Sequence, residues 1–513
     1  MAFTDKIIPR DQIRGVLDRV RAEGKTVVQC HGCFDILHPG HIRYLVWAKE
    51  QGDVLLVSVS GDRVVAKGWN RPYVPEELRA ENLAACEMVD YVTVDNGASA
   101  EEILAELKPD VYVKGSEFQH DFTGRIGRER KLVEGYGGKV AFSSGDVVYS
   151  SSYIIEHMRD KIDIAHDRIA LFRRRHEVST DRLKELIGSF ASQRVLVIGD
   201  ATVEEYVYGD ALGMQSDAPV ATLHPLETLR YPGGAALVAG CLHGIGAQTR
   251  CITVVGEDDD ARWLGESLAE CVAEPTLVAD KSRPTPMRRR YIANNTALLE
   301  VATVKWHELS AELEQQVLAR LEEELATADA VVVADLGLGA ITEGIAARLS
   351  ELAREGKTVV ADVRSLAATG DIAKFQGVRL TMPDEREARI ALHDSVTGPQ
   401  RLGERLLRVT GNGSLILLLG GEGLLVFDQG MTVSGETADG PARLLAEHIP
   451  PLPTIVRDPH GTREAMLATC GAALAAGANI FEAALLANAA AAVAVGLSGP
   501  LPITAAELSQ MAQ

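Results

Sequence analysis

Residues 32–53 read GCFDILHPGHIRYLVWAKEQGD, and they place two histidines where a strand passes into a helix. The apolar run VVQC just before them predicts the strand, and the glycine at its end predicts a turn. The segment HPGH then opens a helix, whose unpaired N–H groups and positive dipole end favour an anion. Gly40 allows close backbone approach, and His38 and His41, three residues apart, reach one helix face.

These two imidazoles suit chemistry on a polyphosphate. At a helix start they can neutralise the charge that grows on a triphosphate when its α-phosphorus is attacked. The alternative interpretation is a capped helix with two incidental histidines. Because Asp35 stands three positions before His38 and the junction is strand-to-helix, we favour the site and predict His38 and His41 as catalytic.

The chain alternates strand-like and helical runs in two stretches, which predicts an α/β fold. The first stretch runs from Thr26 to about residue 158 and predicts a Rossmann-like parallel sheet. A charged, mostly helical connector follows over 159–193. A second α/β rhythm begins at Arg194 with RVLVIGD, so we predict domains at 1–158 and 194–513.

Composition limits the class of protein. The net charge of −20 argues against general nucleic-acid binding, so anionic substrates would need local positive charge or Mg²⁺. Seven scattered cysteines and an N-terminus without an apolar signal segment predict a cytoplasmic protein with reduced thiols. Cys30 and Cys33 have CxxC spacing, but no second pair lies nearby, so no metal site is predicted. The Ala-rich stretch 465–497 is broken by Gly, Asn and Glu, which favours a packed helical pair over a membrane span.

Residues 26–158 resemble the nucleotidyltransferases that carry an HxGH signature, close to the glycerol-phosphate cytidylyltransferase and heptose-phosphate adenylyltransferase branches. GCFDILHPGH, the segment from VSGDRVVAKGWNRPYV to DYV, PDVYVKGSEF and the late YSSSYII carry the resemblance. It implies Lys67 as a third catalytic residue, a mobile positive charge beside the polyphosphate. It implies nucleotide contacts at Gly32, Cys33, Phe34, Asp35, Gly40, Lys114, Gly115, Ser150, Ser151 and Ser152. It implies substrate contacts at Asp62, Arg71 and Arg79.

The resemblance implies that a substrate phosphate attacks the α-phosphorus of CTP or ATP and releases pyrophosphate. The nucleophile is already anionic, so no general base is needed, and Mg²⁺ is expected on the pyrophosphate. His31 stands where many relatives have Asn or Thr, which can bear on the substrate pocket.

Residues 194–513 resemble the ribokinase-like (PfkB-type) sugar kinases, specifically the kinase half of the bifunctional heptose-phosphate kinase/adenylyltransferases, in which the kinase comes first. We therefore predict that the domain order is reversed in this chain. The resemblance rests on VIGDATVEEYVYGD, YPGGAALVAGCLHGIGAQTRCITVVGED, TMPDEREA and DPHGTREAM, among other segments. Segments Ala221–Pro232 and Met287–Val301 are candidates for the small β lid through which such domains often pair.

Several ligand positions of the kinase family are changed. The sugar-binding Asp is Glu204, and the sugar-binding Asn is Leu237. The family's DxxGAGD has become DPHGTRE, with Gly461 kept, Arg463 in place of the second glycine and Glu464 in place of the catalytic Asp. Arg463 puts a long side chain where the γ-phosphate would lie, and Glu464 is one methylene too long.

Two interpretations of the second half follow. It is a silent pseudokinase kept for structure or regulation, or an active kinase in which Arg463 clamps the phosphate. DPHGTRE itself could also be a plain helix start. We predict an Mg²⁺-dependent nucleotidyltransferase that acts on a sugar phosphate or polyol phosphate. The resemblance to ribokinase-like domains implies a homodimer. The alternatives are a bifunctional sugar kinase/nucleotidyltransferase of the ADP-heptose synthase type and a non-catalytic scaffold.

Overall fold

The protein is described by a computed structural model. It covers residues 3–62, 64, 72, 74–97, 99–115, 124–143, 164–214, 221–294, 296–364, 371–432, 444–452 and 454–512. The chain divides into two compact units, Met1–Arg168 and Ile169–Gln513. This division falls inside the predicted connector 159–193, so the exact domain bounds at 158 and 194 stay a prediction.

The described part of the first unit is built on five parallel strands. The strands are β1 (Val27–Gly32), β2 (Val54–Ser60), β3 (Tyr91–Asp95), β4 (Val111–Lys114) and β5 (Lys139–Phe142). Their order across the sheet is β3-β2-β1-β4-β5. The helices are α1 (Ile13–Ala22), α2 (Pro39–Lys49), α3 (Glu76–Ala84), α4 (Ala100–Leu107) and α5 (Arg125–Gly135).

Both faces of this sheet are covered, as a parallel sheet requires. On one face, Val28 and Val57 pack with Leu45 of α2 in an apolar cluster. On the other face, Val27 and Leu56 join the side chains of α1 and α4. Successive strand residues point to opposite faces, so the central strands carry apolar side chains toward both faces, as in the run VLLV that opens β2.

In the described part of the predicted connector, from residue 164 on, the α-helices are α6 (Ile164–Arg175) and α7 (Thr180–Ser189). Phe172 of α6 is buried against Phe481, with ring centroids 5.8 Å apart. Arg182 of α7 donates to Glu482 at 3.1 Å. Residues 169–189 therefore pack as part of the second unit.

The described part of the second unit contains a twelve-stranded mixed sheet. Its strands are β6 (Arg194–Met214), β7 (Ala221–Gly234), β8 (Gln248–Val255), β9 (Thr276–Ala279), β10 (Met287–Ala293), β11 (Thr296–Thr303), β12 (Ala330–Asp335), β13 (Thr358–Val363), β14 (Leu380–Thr381), β15 (Ser414–Leu418), β16 (Leu424–Thr432) and β17 (Leu444–Ile449). Its helices are α8 (Ala235–Gly244), α9 (Asp259–Ala269), α10 (Ala311–Leu325), α11 (Glu343–Arg354), α12 (Glu385–Leu392), α13 (Pro399–Thr410), α14 (Thr462–Ala475), α15 (Ile480–Val495) and α16 (Ala505–Met511). The predicted α/β class is confirmed.

Strand β6 belongs to two layers. Its first residues, from Arg194, run parallel to β8 and β12 in the central sheet. From Ala201 onward it pairs with the antiparallel β7 and with β10, and β11 pairs antiparallel with β10. These outer strands form the lid sheet at the two segments that the sequence indicates.

The Ala-rich stretch forms the helical pair α14 and α15, and both helices are buried along most of their length. Within the described ranges, no helix is both long enough and apolar enough to cross a membrane. Small side chains let these two helices lie close to the sheet: a Cβ on Gly471 would approach Val332 to 2.3 Å.

Candidate active site

The order of the strands fixes where a ligand can enter the first unit. The chain leaves β1 toward β2 on one side, while β4 lies on the other side of β1. In open α/β sheets this reversal leaves a crevice at the carboxyl ends of the two central strands. Those ends are Gly32 and Lys114, so the HPGH segment begins beside the crevice.

Helix α2 starts at His38 by a side-chain cap. His38 has extended backbone angles, and its Nδ1 accepts from the N–H of Gly40 at 3.2 Å, while Pro39 takes the first helical position. A neutral ring that accepts at Nδ1 carries its proton on Nε2, so His38 offers Nε2–H as a donor. Burial lowers the pKa of His38, which favours this neutral form.

The structure brings the two predicted histidines together. The ring centroids of His38 and His41 lie 4.0 Å apart. Phe34 lies 5.4 Å from His41, and its backbone is left-handed, with a φ of 48°. A non-glycine residue in that conformation is strained, as residues at functional sites often are. Gly32 allows this turn, because a Cβ there would meet the Phe34 ring at 3.2 Å.

Arg79 is a buried side chain that hydrogen-bonds to the loop between β1 and α2. It is completely buried, and its Nε donates to the Val74 carbonyl at 2.7 Å. Its Nη2 donates to Asp62 at 2.6 Å, and its Nη1 donates to the Cys33 carbonyl. Asp35 accepts from the Val74 N–H at 2.9 Å, which ties the same loop to the start of α3. Arg79 and Asp62 thus form an ion pair with each other in this structure. Their roles as substrate contacts stay predictions.

Both ring nitrogens of His31 are hydrogen-bonded to serine hydroxyls. Its Nδ1 lies 3.0 Å from Ser58 Oγ and its Nε2 lies 3.1 Å from Ser60 Oγ. Ser58 already donates to the Cys30 carbonyl, so it accepts from His31 Nδ1. The ring therefore fixes β1 to β2. Cys30 is buried, which raises the pKa of its thiol to about 12 and disfavours the thiolate that redox or metal chemistry uses.

Lys114 lies at the end of β4, with Gly115 after it. Its Nζ donates to the His31 carbonyl at 3.2 Å and lies 3.5 Å from the Glu129 carboxylate. The sequence analysis missed Glu129, although an acid among the apolar positions of α5 was the available signal. Five predicted residues lie outside the described residues: Lys67, Arg71, Ser150, Ser151 and Ser152.

In the second unit, Gly461 forms the turn at the start of α14. Its φ is 83°, and a Cβ there would meet Leu237 and Pro500 at 3.1 Å, so only glycine fits. Leu237 is buried in α8 beside this turn. The turn keeps a left-handed glycine at the helix start, and Leu237 and Pro500 pack against it.

Arg463 points away from the turn into a group of carboxylates. It makes two 2.9 Å hydrogen bonds to Glu387, donates to the Met382 carbonyl at 3.1 Å and contacts Asp362. Asp384 lies 3.5 Å away. Burial raises the pKa of Asp362 and of Glu387. The guanidinium therefore supplies the positive charge that these buried acids need.

Glu464 and Glu204 also form ion pairs with arginine side chains. Glu464 is buried and lies 2.6 Å from Arg364 Nη2. Although burial alone would raise it, the pKa of Glu464 is lowered because of the Arg364 charge. Glu204 on β6 accepts from Arg290 at 2.6 Å and from Thr202 at 2.8 Å. Sequence reasoning missed both arginine partners, Arg364 directly after β13 and Arg290 in the middle of β10; arginines in or beside apolar strands were the available signal.

Two family models match the chain. The model described as cytidylyltransferase-like matches residues 30–185, and that of the pfkB family carbohydrate kinases matches residues 192–505. A protein named "Bifunctional protein HldE" from Bradyrhizobium diazoefficiens is 31% identical over 330 residues, 63% of each chain. Another of that name, from Rhodopseudomonas palustris (strain HaA2), is 31% identical over 63% of this chain and 64% of its own. The chain thus spans less than two thirds of the length of these relatives.

A solved structure supports the fold of the second unit. Phosphofructokinase-2 from Escherichia coli, in complex with potassium, covers 62% of this chain and 98% of its own, with a TM-score of 0.51 and 15% identity. At that identity the likeness concerns the fold alone.

These comparisons correct the prediction of a reversed domain order. The cytidylyltransferase-like match precedes the pfkB match, and the HldE relatives align with the chain in one continuous order over 330 and 329 residues, without a reversal. The prediction of a silent kinase finds no support in these relatives, which are named bifunctional.

Proposed function

Because the chain belongs to the pfkB family of carbohydrate kinases, whose model matches residues 192–505, we propose that it acts on phosphorylated sugars or polyols and that its first unit attaches a nucleotide to the substrate phosphate. A phosphate oxygen of the acceptor attacks the α-phosphorus of CTP or ATP. The new P–O bond forms as the bond to pyrophosphate breaks, and pyrophosphate leaves. No proton has to be removed from the acceptor, since its phosphate is already anionic.

One observation carries this proposal: the capped start of α2 beside the crevice between β1 and β4. The helix offers its free N–H groups and dipole to the triphosphate. The Nε2–H of His38 is a fixed donor, and His41 stacks beside it at 4.0 Å between centroids. Donors fixed in advance stabilise charge that develops on the leaving pyrophosphate.

Mg²⁺ fits this reaction as an ion that binds together with the nucleotide. In the part of the chain that the structure describes, no group of three Asp, Glu, His or Cys side chains could hold a metal. The ion would therefore enter on the phosphate oxygens, which are hard ligands of the kind Mg²⁺ prefers. It supplies charge neutralisation there, while His38, His41 and the helix start orient the triphosphate.

The test is pyrophosphate release, measured with each nucleoside triphosphate against a panel of sugar and polyol phosphates. Wild type should turn over at least one pair, and His41→Ala should lower kcat about a hundredfold or more. His243→Ala, on α8 of the second unit, is the matched control and should leave the rate unchanged. The absence of release with every pair, or equal rates for wild type and His41→Ala, would reject the proposal.

Sugar phosphorylation by the second unit is a second candidate function, and the name of the curated relatives favours it over a silent domain. Phosphoryl transfer would need Glu464 to leave Arg364, or another group to take the hydroxyl proton. ADP formation from ATP should be followed with free and phosphorylated sugars, using wild type and Glu464→Ala. A signal that Glu464→Ala abolishes supports the second activity; no signal with any sugar removes it.

We also propose a homodimer through the lid sheet. Leu298, Leu299 and Val301 of β11 are exposed, as are Leu212 and Leu226 on β6 and β7. An apolar surface of this kind favours a protein partner. Sedimentation of wild type and of Leu299→Asp tests this: the variant should sediment as a monomer, and a monomeric wild type rejects the dimer. The seven scattered cysteine thiols and the nucleotide substrate suit a cytoplasmic enzyme.

A further inference from the structure

Glu129 is a buried acid for which packing alone gives no reason. It lies on α5, is completely buried, and has the apolar Val133 one turn further along the helix. Burying a carboxylate is costly unless charge and hydrogen bonds compensate. Glu129 receives both: Tyr112 donates to it at 2.8 Å, and Lys114 Nζ lies 3.5 Å away.

Tyr112 and Lys114 connect Glu129 to the crevice between β1 and β4. Tyr112 and Lys114 are alternate residues of β4, so their side chains point to the same face of the sheet. The ammonium of Lys114 also donates to the His31 carbonyl at 3.2 Å. His31 is the residue before Gly32, where the chain turns toward His38. Contacts therefore run from Glu129 through Lys114 to the base of the HPGH loop.

We propose that Glu129 is a positioning residue for nucleotidyl transfer, because it holds the charged Lys114 beneath the turn at Gly32. The inference rests on the function proposed above. A fixed cation beside the crevice counts most when the leaving pyrophosphate gains charge. Without Glu129 the Lys114 ammonium loses this counter-charge. Its position is then less fixed, and its hydrogen bond to the chain before the Gly32 turn is weakened.

The direct variant is Glu129→Gln, which keeps the shape and the bond to Tyr112 but removes the charge. It should lower kcat about ten- to a hundredfold while the KM for the nucleoside triphosphate changes less than threefold. Glu129→Asp should recover part of the rate. Glu134→Gln, an exposed position on the same helix, is the matched control and should change neither constant.

A double-mutant cycle separates positioning from packing. If Glu129 acts through Lys114, Glu129→Gln should cost nothing further in a Lys114→Met background. If the carboxylate only fills the core, the two losses multiply. Tyr112→Phe removes the hydrogen bond and keeps the ion pair, so it should cost less than threefold; a loss equal to that of Glu129→Gln overturns the inference.

Failure of the proposed function can be told apart from failure of this inference. Thermal stabilisation by magnesium-ATP or magnesium-CTP measures nucleotide binding without turnover and, like KM, should be nearly equal in wild type and Glu129→Gln. If wild type is stabilised by a nucleotide but releases no pyrophosphate with any acceptor, the proposed function fails and the positioning role fails with it. If wild type releases pyrophosphate and Glu129→Gln either keeps the full kcat or loses the stabilisation, the proposed function stands and the positioning inference is overturned.

Discussion

Arg463 binds both carboxylate oxygens of Glu387, each at 2.9 Å, in the two-pronged arrangement that arginine makes best. Glu387 also caps its own helix, since it forms a capping box with Asp384 at the start of α12. The arginine therefore joins the start of α14 to the start of α12. At the position where the kinase family has a glycine, this chain has an internal ion-pair partner.

Removal of that arginine should destabilise the second unit. Arg463→Ala leaves Glu387 buried without its cation and Asp362 with only Arg364, 3.9 Å away, so we expect the free energy of unfolding to fall by about 3–5 kcal/mol. Urea unfolding measures this, and Arg401→Ala, at an exposed position of α13, is the control, expected to change it by less than about 0.5 kcal/mol. A loss as small as the control's would mean that the group is not a structural unit.

Replacement of His38 should separate helix capping from catalysis. Asparagine is a good N-cap, so His38→Asn should keep the melting temperature close to that of wild type. It has no imidazole, and we expect kcat for pyrophosphate release to fall about 10²–10³-fold. His38→Ala should lose both stability and rate. Wild-type activity in His38→Asn would show that the ring has no chemical role.

Arg79 should be essential to the first unit even without touching substrate. Arg79→Met removes the hydrogen bonds to the Val74 and Cys33 carbonyls and the buried ion pair with Asp62, so we expect a loss of about 3–5 kcal/mol. Thermal unfolding and far-UV circular dichroism would follow it. Arg128→Met, which removes an exposed partner of Glu101, should cost less than about 1 kcal/mol. If Arg79→Met folds with normal stability and only KM rises, Arg79 is a substrate contact after all.

Asp200 should make stability depend on pH. Burial, and then the charge of Asp335, raise the pKa of Asp200 to about 6, against 3.8 for a free side chain. The folded state therefore binds this proton more tightly than the unfolded state. The contribution is favourable at low pH and is lost as pH rises from about 4 to about 6, by up to about 3 kcal/mol.

The measurement compares wild type with Asp200→Asn, because other acids titrate in the same range. Urea unfolding at several pH values between 4 and 7 should give a difference between the two proteins that changes with pH below 6 and is constant above it. Asp200 also accepts from the N–H groups of Leu336, Leu338 and Ala340, so the variant should be less stable throughout. Parallel curves would mean that Asp200 titrates like a free side chain.

The local sequence was enough to predict where the chain changes from strand to helix. VVQC predicts the start of β1, and HPGH predicts the start of α2, because a strand's apolar run and a helix cap depend on residues close in sequence. The helical pair at the C-terminal end was found in the same way, whereas the lid segments were expected from the resemblance to ribokinase-like domains. The match of the second half to a sugar-kinase fold rested on spaced glycines and acids, which also lie in short segments.

The ion pairs could not be predicted in this way. Arg463 and Asp362 are 101 residues apart, and Arg79 and Cys33 are 46 apart. Glu464 and Arg364, and Lys114 and Glu129, meet only when parallel strands joined by crossover helices take their register. The sequence thus determined the elements and the HPGH helix start by itself. The tertiary structure decided which charges neutralise one another, because a buried charge pairs with whatever the neighbouring strands bring within reach.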